Sequence, residues 1–392
     1  MVDEAKALPP SEPTGGAAQP ESSAGSPGSP GRLKLYYEKN EQKIAIFAFV
    51  GGFLFDILTV ERIDSWFTIG QQILYLTVIT LALMQMFLEQ AGPPPESGRM
   101  FAVKRWYYRY RTAILHFFLG TLLNLYAIFF FKSSSLLVSF SFLGVLVVLL
   151  IANESPRLKA LGMPFKFLLL SLCFLSFFAL VVPIFIGSIG TGVFLLSILL
   201  GSLPLIGIVW LIGTRSPDLF QRARRQILVP LGIVLIGLLT FYFFRLIPPV
   251  PLSIPFMGVY HAVERTEEGY QLSHERSWWR IWHNGDQRFF AQGGDKVYVY
   301  FRIFSPSRFS DQVQMRWYWK GGNGRWTLQD SIPIKIVGGR EQGFRGYGFK
   351  SNYEFGEWKV QVETNDGREI GRIYFRIEIS PEGPRSFFVD TQ

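Results

Sequence analysis

The sequence predicts a membrane α-helical bundle of about seven spans followed by a C-terminal all-β domain, an immunoglobulin-like sandwich. The first observation is composition: 49% of the residues are hydrophobic and only 18% are charged, whereas about a quarter of a soluble domain is charged. The second is a series of long apolar runs before residue 248. The third is an alternation of apolar and polar residues after Lys296, which is typical of β-strands.

The first 31 residues are predicted to form a disordered tail. Residues 1–31 are rich in Pro, Gly, Ser and Ala and contain no long apolar run. Such a segment cannot bury enough apolar surface to offset the conformational entropy that it would lose on ordering. The missing apolar run also argues against a cleavable signal peptide.

Residues 32–247 are predicted to form the membrane domain, which contains seven apolar segments. Each approaches the roughly 20 residues that an α-helix needs to cross the hydrocarbon layer. Prolines inside them do not argue against this interpretation, because membrane helices tolerate proline. The segments are residues 44–60, 67–88, 113–131, 133–153, 165–187, 193–213 and 227–247.

The distribution of Lys and Arg predicts the orientation of the bundle. Cations flank the first segment and recur in the second, fourth and sixth connections, while the other connections have few or none. Short cytoplasmic loops are enriched in Lys and Arg. We therefore expect a cytoplasmic N-terminus and a C-terminal domain outside the cytoplasm.

The most cationic of these connections is VKRWYYRYR, from Val103 to Arg111. Basic residues interleaved with aromatic residues can bind single-stranded nucleic acid. Between two apolar segments, however, the stretch is interpreted as a membrane-surface loop whose cations face anionic lipid. The bilayer is thus an expected partner and nucleic acid is not. The lipid-facing cations are Lys104, Arg105, Arg109 and Arg111.

The β-domain follows a linker. Residues 248–256 contain four prolines and are predicted to form a stiff, extended linker. Residues 257–392 then contain segments with a period of two, separated by turn residues, which predicts an antiparallel sandwich. Ile370 and Ile373 are three residues apart, so in a regular strand their side chains would face opposite sides of the sheet. A β-bulge near Gly371 would keep both in the core. Strands are predicted at 296–304, 313–320, 332–336, 358–362 and 372–379, with hairpin turns at 321–324 and 365–367.

The last hairpin, GEWKVQVETNDGREIGRIYFRI (Gly356 to Ile377), together with VYVYFRI and VQMRWYWKGG, resembles the bacterial family called domain of unknown function 2914. The resemblance covers about residues 290–380 and includes the Gly-x-Trp-x-Val-x-Val strand and the acidic-Gly turn. Family members often have a His just before the Trp of the VQMRW strand, where this chain has Met315 and Arg316. Any role of that His therefore does not carry over. The resemblance implies bacterial origin and an envelope location, and no activity.

Polar residues inside predicted spans are costly and suggest functional sites. Asp56, His116 and Asn124 are the candidates here. Solvation at the membrane interface explains Asp56, and an interhelical hydrogen bond explains Asn124. The alternative is a transporter or membrane enzyme with its site in the bundle, in which case these three side chains would converge on one cavity.

The chain offers little evidence for catalysis or for a cofactor. Its four histidines do not have the spacing of metal ligands. GSIGTG, from Gly187 to Gly192, resembles a phosphate-binding loop, but it connects two predicted spans and is interpreted as a flexible turn. We therefore expect no catalytic residue, no metal and no cofactor.

Aromatic and cationic residues on outward-facing strand positions suggest a contact surface in the β-domain. Exposed aromatic side chains flanked by Arg can bind a protein or a glycan. They can equally dock against the bundle or a partner subunit. The residues are Tyr298, Tyr300, Arg302, Tyr318, Tyr374 and Arg376.

These observations favour a non-enzymatic bacterial inner-membrane protein. Its periplasmic sandwich would bind an envelope protein or polysaccharide, as an anchor or a sensor. The competing hypothesis is the transporter or membrane enzyme, with the sandwich as a regulatory cap. The sequence leaves the ligand and the oligomeric state open.

Overall fold

The computed structural model describes a helical bundle followed by a β-rich region. All of its described residues belong to one unit that runs from Phe55 to Gln392. They are residues 64–91, 101–133, 136–154, 162–267, 269–276, 279–280, 283–306, 309–338, 343–381 and 383–392. The predicted tail, residues 1–31, and the first predicted span, residues 44–60, lie outside these ranges.

The described part of the bundle consists of helices α1 to α7, with a π-helical turn, Arg224–Leu228, between α6 and α7. Their bounds are α1 Trp66–Leu88, α2 Phe101–Lys132, α3 Leu136–Glu154, α4 Met163–Ile186, α5 Thr191–Arg215, α6 Pro217–Ala223 and α7 Val229–Phe243. Within the described ranges, five helical segments are long and apolar enough to cross a membrane, which indicates membrane insertion. They are Trp66–Leu88, Ile114–Lys132, Met163–Ile186, Thr191–Arg215 and Pro217–Phe243.

The predicted count of about seven spans is not confirmed. The predicted span at 133–153 corresponds to α3, whose apolar part in the described residues is the shorter stretch Phe140–Ile151. The first predicted span cannot be compared, because it lies outside the described residues.

VKRWYYRYR is helical, so its prediction as a loop was wrong. It belongs to α2, a single helix of 32 residues. At 1.5 Å per residue such a helix is ~48 Å long, which exceeds the roughly 30 Å of the hydrocarbon core. Lys and Arg have good helix propensity, so α2 continues through the charged stretch beyond its apolar part, Ile114–Lys132.

Small residues let α4 and α5 approach each other closely. A Cβ added at Gly201 of α5 would lie 3.1 Å from the Cα of Leu175 in α4 and 3.2 Å from the carbonyl oxygen of Phe174. Close backbone approach of this kind stabilises helix pairs in membranes by van der Waals packing. Helix α4 ends at Ile186. The next residue, Gly187, has a left-handed conformation (φ 78°) that suits glycine, and its N–H donates to the Pro183 carbonyl at 2.8 Å.

The β-rich region contains three sheets. In spatial order they are β1-β5-β8, β4-β10-β9-β6-β7 and β11-β3-β2. The strands are β1 Ser253–Tyr260, β2 Ala262–Arg265, β3 Tyr270–His274, β4 Arg288–Ala291, β5 Val297–Phe304, β6 Ser310–Lys320, β7 Trp326–Val337, β8 Phe344–Lys350, β9 Gly356–Thr364, β10 Glu369–Ile379 and β11 Phe388–Thr391.

The main core lies between the β1-β5-β8 sheet and the five-stranded sheet. Trp317 packs edge-on against Trp358 (ring centroids 6.4 Å apart) and against Phe375 (6.3 Å). Ile370 and Ile373 are both buried, and the register shift between Glu369 and Gly371 confirms the predicted bulge. The inward residues of the predicted strands thus form the core of a two-sheet sandwich, while its assignment as immunoglobulin-like stays a prediction.

Two features of the region differ from the predicted antiparallel sandwich. First, β4 pairs with β10 in parallel. Second, the sheet β11-β3-β2 covers the other face of β5 through a smaller core of Tyr260, Leu272 and Tyr300. The alternation of apolar and polar residues distinguishes the two faces of a strand, but it does not show which element covers each face. The sequence therefore did not predict this third layer.

The predicted linker, residues 248–256, is not an exposed spacer. Strand β1 begins within it, at Ser253. Val250 and Leu252 are buried, and Leu252 belongs to the main core. The apolar side chains between the prolines therefore pack the β-rich region directly onto the bundle.

Candidate functional site

The outer face of the five-stranded sheet, defined as the face directed away from the main core, carries a group of aromatic rings around a lysine. Tyr374, Lys359 and Tyr318 occupy directly paired positions on β10, β9 and β6. The Lys359 Nζ lies 4.3 Å from the centroid of the Tyr318 ring and 5.3 Å from that of the Trp326 ring. Trp326 also contacts Tyr374, with ring centroids 5.8 Å apart. We call Tyr318, Trp326, Lys359 and Tyr374 the aromatic–lysine cluster.

The cluster is partly accessible. Tyr374 is 40% exposed, and the other three side chains are half-buried. Arg372 holds Tyr374 in place, because its Nη1 donates to the Tyr374 hydroxyl at 2.9 Å. The pKa of Lys359 is lowered by burial first and by Arg372 next. The cluster is therefore an ordered, open surface, suited to stacking and ionic contacts.

The carboxylates of the outer face are all used in ion pairs. Glu363 pairs with Arg316 at 2.9 Å and Glu357 with Lys320 at 2.6 Å. Glu369 pairs with Arg372, and Glu378 with Arg288. Within the described residues neither Lys359 nor Lys335, also on this face, forms an ion pair. The positive charge at the centre of the cluster thus has no carboxylate within ion-pair distance, and Glu369 and Glu363 act on it only from farther away.

The predicted contact residues do not form one surface. Tyr318, Tyr374 and Arg376 lie on the outer face. The other three, Tyr298, Tyr300 and Arg302, lie on β5 in the opposite sheet.

For Tyr300, the prediction of an exposed position was wrong. Its side chain is 0% exposed, because β3 of the third sheet covers it and brings the Tyr270 ring to 5.4 Å. Burial raises its pKa. Arg302 lies over the Phe256 ring at 6.0 Å and donates to the Gln392 side chain at 3.4 Å. These residues stabilise the packing of the third layer.

Sequence reasoning missed two members of the cluster, Trp326 and Lys359. Lys359 alternates with the core residues Trp358 and Val360, so the period of two already placed it outward. Trp326 follows the Gly321–Gly324 turn, and only the observed register sets its ring beside strands β9 and β10. A search for outward-facing cations on the predicted strands would have found Lys359 but not Trp326.

The intramembrane candidates do not share a described cavity. An apolar cleft of ≈ 580 Å³ lies between α1 and α4, with Trp66, Ile73, Phe174 and Phe178 among its lining residues, and it contains no ionisable side chain in the described ranges. His116 is buried and Asn124 half-buried in α2, and neither lines this cleft. Asp56 lies outside the described residues.

Of the predicted lipid-facing cations, Arg111 is the one whose side chain is described, and it pairs with Glu89 at the end of α1. Lys104, Arg105 and Arg109 are on α2, and their side chains lie outside the described part. Lys166 of α4 is buried near Arg111, and Arg222 of α6 donates to the carbonyl of Gln90 at 3.4 Å. These cations gather at one end of the bundle.

The opposite end of the bundle holds the β-rich region through polar contacts. Asp366 in the β9–β10 turn accepts a hydrogen bond from the Tyr242 hydroxyl of α7 at 3.1 Å and from the Arg368 Nε at 2.9 Å. Arg368 also lies over the Tyr242 ring at 4.9 Å. The Gly187 carbonyl accepts from the Ser310 N–H at 2.9 Å, so the GSIGTG loop is a contact point and not only a turn. We call this contact the turn–bundle junction.

A second polar cluster lies at the edge of the third sheet. His261 Nε2 is 3.6 Å from carboxylate oxygens of both Glu275 and Asp286, and its ring stacks on Phe289 at 3.9 Å. Burial raises the pKa of Asp286 to about 7 and lowers that of His261 to about 4. In the described part of the chain no group of three or more His, Cys, Asp or Glu side chains is arranged to hold a metal ion.

Comparison with protein families identifies the region that carries the aromatic–lysine cluster. Residues 310–377 match the family described as "Protein of unknown function (DUF2914)". The predicted resemblance is confirmed for this segment, which contains all four residues of the cluster. No curated protein sequence matches the chain.

Comparison with solved structures finds proteins of low similarity to this chain. An immunoglobulin-like protein from Pseudomonas aeruginosa is 12% identical, covers 33% of this chain and 98% of its own, and has a TM-score of 0.21. A β-glucosidase from Listeria innocua in complex with glucose is 11% identical, covers 24% of this chain and 15% of its own, and has a TM-score of 0.20. At such TM-scores neither similarity supports an argument about fold or function.

Proposed function

We propose that this protein is a non-enzymatic bacterial inner-membrane protein whose periplasmic β-rich region binds an envelope protein or polysaccharide. The observation that carries the proposal is the aromatic–lysine cluster on the outer face. Aromatic and cationic side chains dominate the binding energy of many protein surfaces. Held on β-strands, they are positioned before a ligand arrives, which lowers the entropic cost of binding.

The two ends of the bundle support the proposed orientation. Arg111 and Lys166 lie near the start of α4, whereas the turn–bundle junction lies beyond its end, at Gly187. The 21 residues between Lys166 and Gly187 correspond to ~31 Å of helix. The described cations and the β-rich region are therefore about one bilayer thickness apart. This separation favours a cytoplasmic position for the cations and a periplasmic one for the β-rich region.

The turn–bundle junction supports a role as anchor or sensor. Strands β9 and β10, which carry Lys359 and Tyr374, are connected by the turn that contacts Tyr242. A ligand that shifts these strands would act directly on α7. A sheet attached in this way can hold a ligand at the membrane or pass its presence to the bundle.

The proposal is tested by removing the aromatic surface from the full-length protein in nanodiscs. Trp326→Ala combined with Tyr374→Ala is expected to weaken binding to a periplasmic extract or to extracted envelope polysaccharide at least about thirtyfold, because hot-spot side chains contribute about 2 kcal/mol or more. Surface plasmon resonance measures the change.

Tyr347→Ala is the matched control, because Tyr347 is similarly exposed (42%) but lies on β8 in the opposite sheet. It is expected to bind as the wild type does. If the double variant retains all binding of the wild type, the outer face is not the binding surface.

A further inference from the structure

The outer face has an excess of positive charge that remains after its ion pairs are counted. Its outward strand positions carry seven cations against four carboxylates, an excess of three. The carboxylates are Glu357, Glu363, Glu369 and Glu378, and the cations are Arg288, Arg316, Lys320, Lys335, Lys359, Arg372 and Arg376.

We propose that the ligand of the outer face is an acidic polysaccharide, whose sugar rings stack on Trp326 and Tyr374 and whose carboxylates pair with Lys359. This inference rests on the proposed function and specifies its ligand. Lys359 stands at the centre of the aromatic rings and has no ion pair in the described residues. A cation–π contact leaves its charge in place, so the field of the lysine favours an anion at the ring faces.

The arrangement favours a chain of sugar rings over a single small anion. The cluster lies on an open sheet face, with ring planes and charges side by side. Further cations lie in the rows on both sides. Arg372 and Arg316 are beside Gln361, and Arg376 and Lys320 are beside Glu357. Three of them already pair with carboxylates, and Arg376 is 3.9 Å from Glu378. A ligand that repeats rings and carboxylates can use several of these positions together, which raises the affinity through multiple contacts.

The position of the cluster argues against anionic lipid as the ligand. Thr364, the last residue of β9, lies beside the turn–bundle junction. Lys359 precedes it by five residues, so at ~3.3 Å per residue it is ~17 Å from that end of the strand. Lys320 and Arg376 lie one row beyond it. Lys359, Lys320 and Arg376 thus lie away from the end that contacts the bundle, whereas Lys335, which is outside the cluster, lies near that end.

Three probes separate the contributions of rings and charge. Oligogalacturonate carries both, its methyl ester carries rings without charge, and polyphosphate carries charge without rings. Calorimetric titration of the full-length protein in zwitterionic nanodiscs is expected to give oligogalacturonate an affinity at least about tenfold higher than the methyl ester, a difference of about 1.4 kcal/mol. Its affinity is also expected to fall with added salt.

Two lysine substitutions test the residue assignment. Lys359→Gln is expected to weaken oligogalacturonate binding about tenfold, and Lys359→Arg to retain most of it. Lys335→Gln is the matched control, since it removes an equally unpaired cation from the same face, outside the cluster, and should change the affinity less than about twofold. Unchanged tryptophan fluorescence would show that each variant is folded.

Several outcomes would overturn the acidic-polysaccharide inference. Equal binding of the methyl ester, or full binding by Lys359→Gln, would remove the role of charge. Equal binding of polyphosphate, unaffected by Trp326→Ala, would indicate a simple polyanion surface, and binding only to vesicles with anionic lipid would indicate a membrane ligand. The proposed function itself would still stand if Trp326→Ala with Tyr374→Ala abolished binding of another glycan or of a protein.

Discussion

At the scale of single residues, His261 and Asp286 show how burial sets opposite charge preferences in neighbouring side chains. Both are buried, and their side chains are 3.6 Å apart. Burial disfavours the charged form of each group, so it raises the pKa of the acid and lowers that of the imidazole. The folded protein therefore favours a protonated Asp286 beside a neutral His261 around pH 6.

Linkage between protonation and folding predicts the pH dependence of stability at this cluster. Asp286 binds its proton more tightly when folded, so its stabilising contribution is complete below about pH 3.8 and is lost as the pH rises through about 7. His261 acts in the opposite direction: its contribution is present above about pH 6.5 and is lost as the pH falls through about 4. In the wild type the two contributions partly cancel.

Substituting one partner is expected to reveal the contribution of the other. Asp286→Asn should give a melting temperature that rises between about pH 4 and 6.5, and His261→Gln one that falls between about pH 4 and 7. Thermal unfolding followed by tryptophan fluorescence measures both slopes. If both variants keep the wild-type pH profile, these side chains do not titrate as burial predicts.

At the scale of elements, the β9–β10 turn connects the binding surface to the bundle. Arg368 is 5% exposed and pairs with Asp366, whose carboxylate also accepts the Tyr242 hydroxyl. Removing Arg368 would leave the partly exposed Asp366 carboxylate without its ionic partner and would remove the contact with the Tyr242 ring. The junction therefore depends on Arg368 more than its position in a turn suggests.

Arg368→Met is expected to loosen the turn–bundle junction while the sandwich core stays folded. Amide hydrogen exchange at Gly367 and Arg368, and in the Gly187–Thr191 loop, should become at least about tenfold faster, because local opening exposes these groups. Arg372→Met is the control, since Arg372 pairs with Glu369 on the outer face and should alter exchange only there. If exchange in the Gly187–Thr191 loop is unchanged in the Arg368→Met variant, the β9–β10 turn and the bundle are not coupled.

At the scale of the whole molecule, the structure places the β-rich region at one end of the bundle and Arg111, Lys166 and Arg222 at the other. Such a two-ended distribution of charge is expected of a protein with a fixed orientation in a bilayer. Because the five described apolar helices indicate insertion, the remaining question is which end faces the cytoplasm.

Reporter fusions test the orientation. Alkaline phosphatase, which is active only after export, is expected to be active when fused after Gln392 and inactive when fused after Gly98, in a predicted cytoplasmic connection. A fluorescent protein that folds only in the cytoplasm should give the reverse result. If phosphatase activity appears only at Gly98, the proposed periplasmic location is wrong.

Local patterns in the sequence determined several of the membrane helices and the main strands of the sandwich. Runs of apolar residues longer than a soluble helix requires indicated the membrane helices, and the period of two identified the inward residues of β5, β6, β9 and β10. The spacing of Ile370 and Ile373 also predicted the bulge that lies between Glu369 and Gly371. These features could be predicted because each depends on neighbours within a few residues of the chain.

Tertiary structure alone decided which outward residues remain exposed and which of them meet. Tyr300 and Tyr374 have the same outward parity, yet a third sheet buries the first and leaves the second open. Trp326 joins Lys359 only because β7 is the neighbour of β6 in the sheet. Burial and contact depend on elements distant in sequence, and periodicity within one strand carries no information about them.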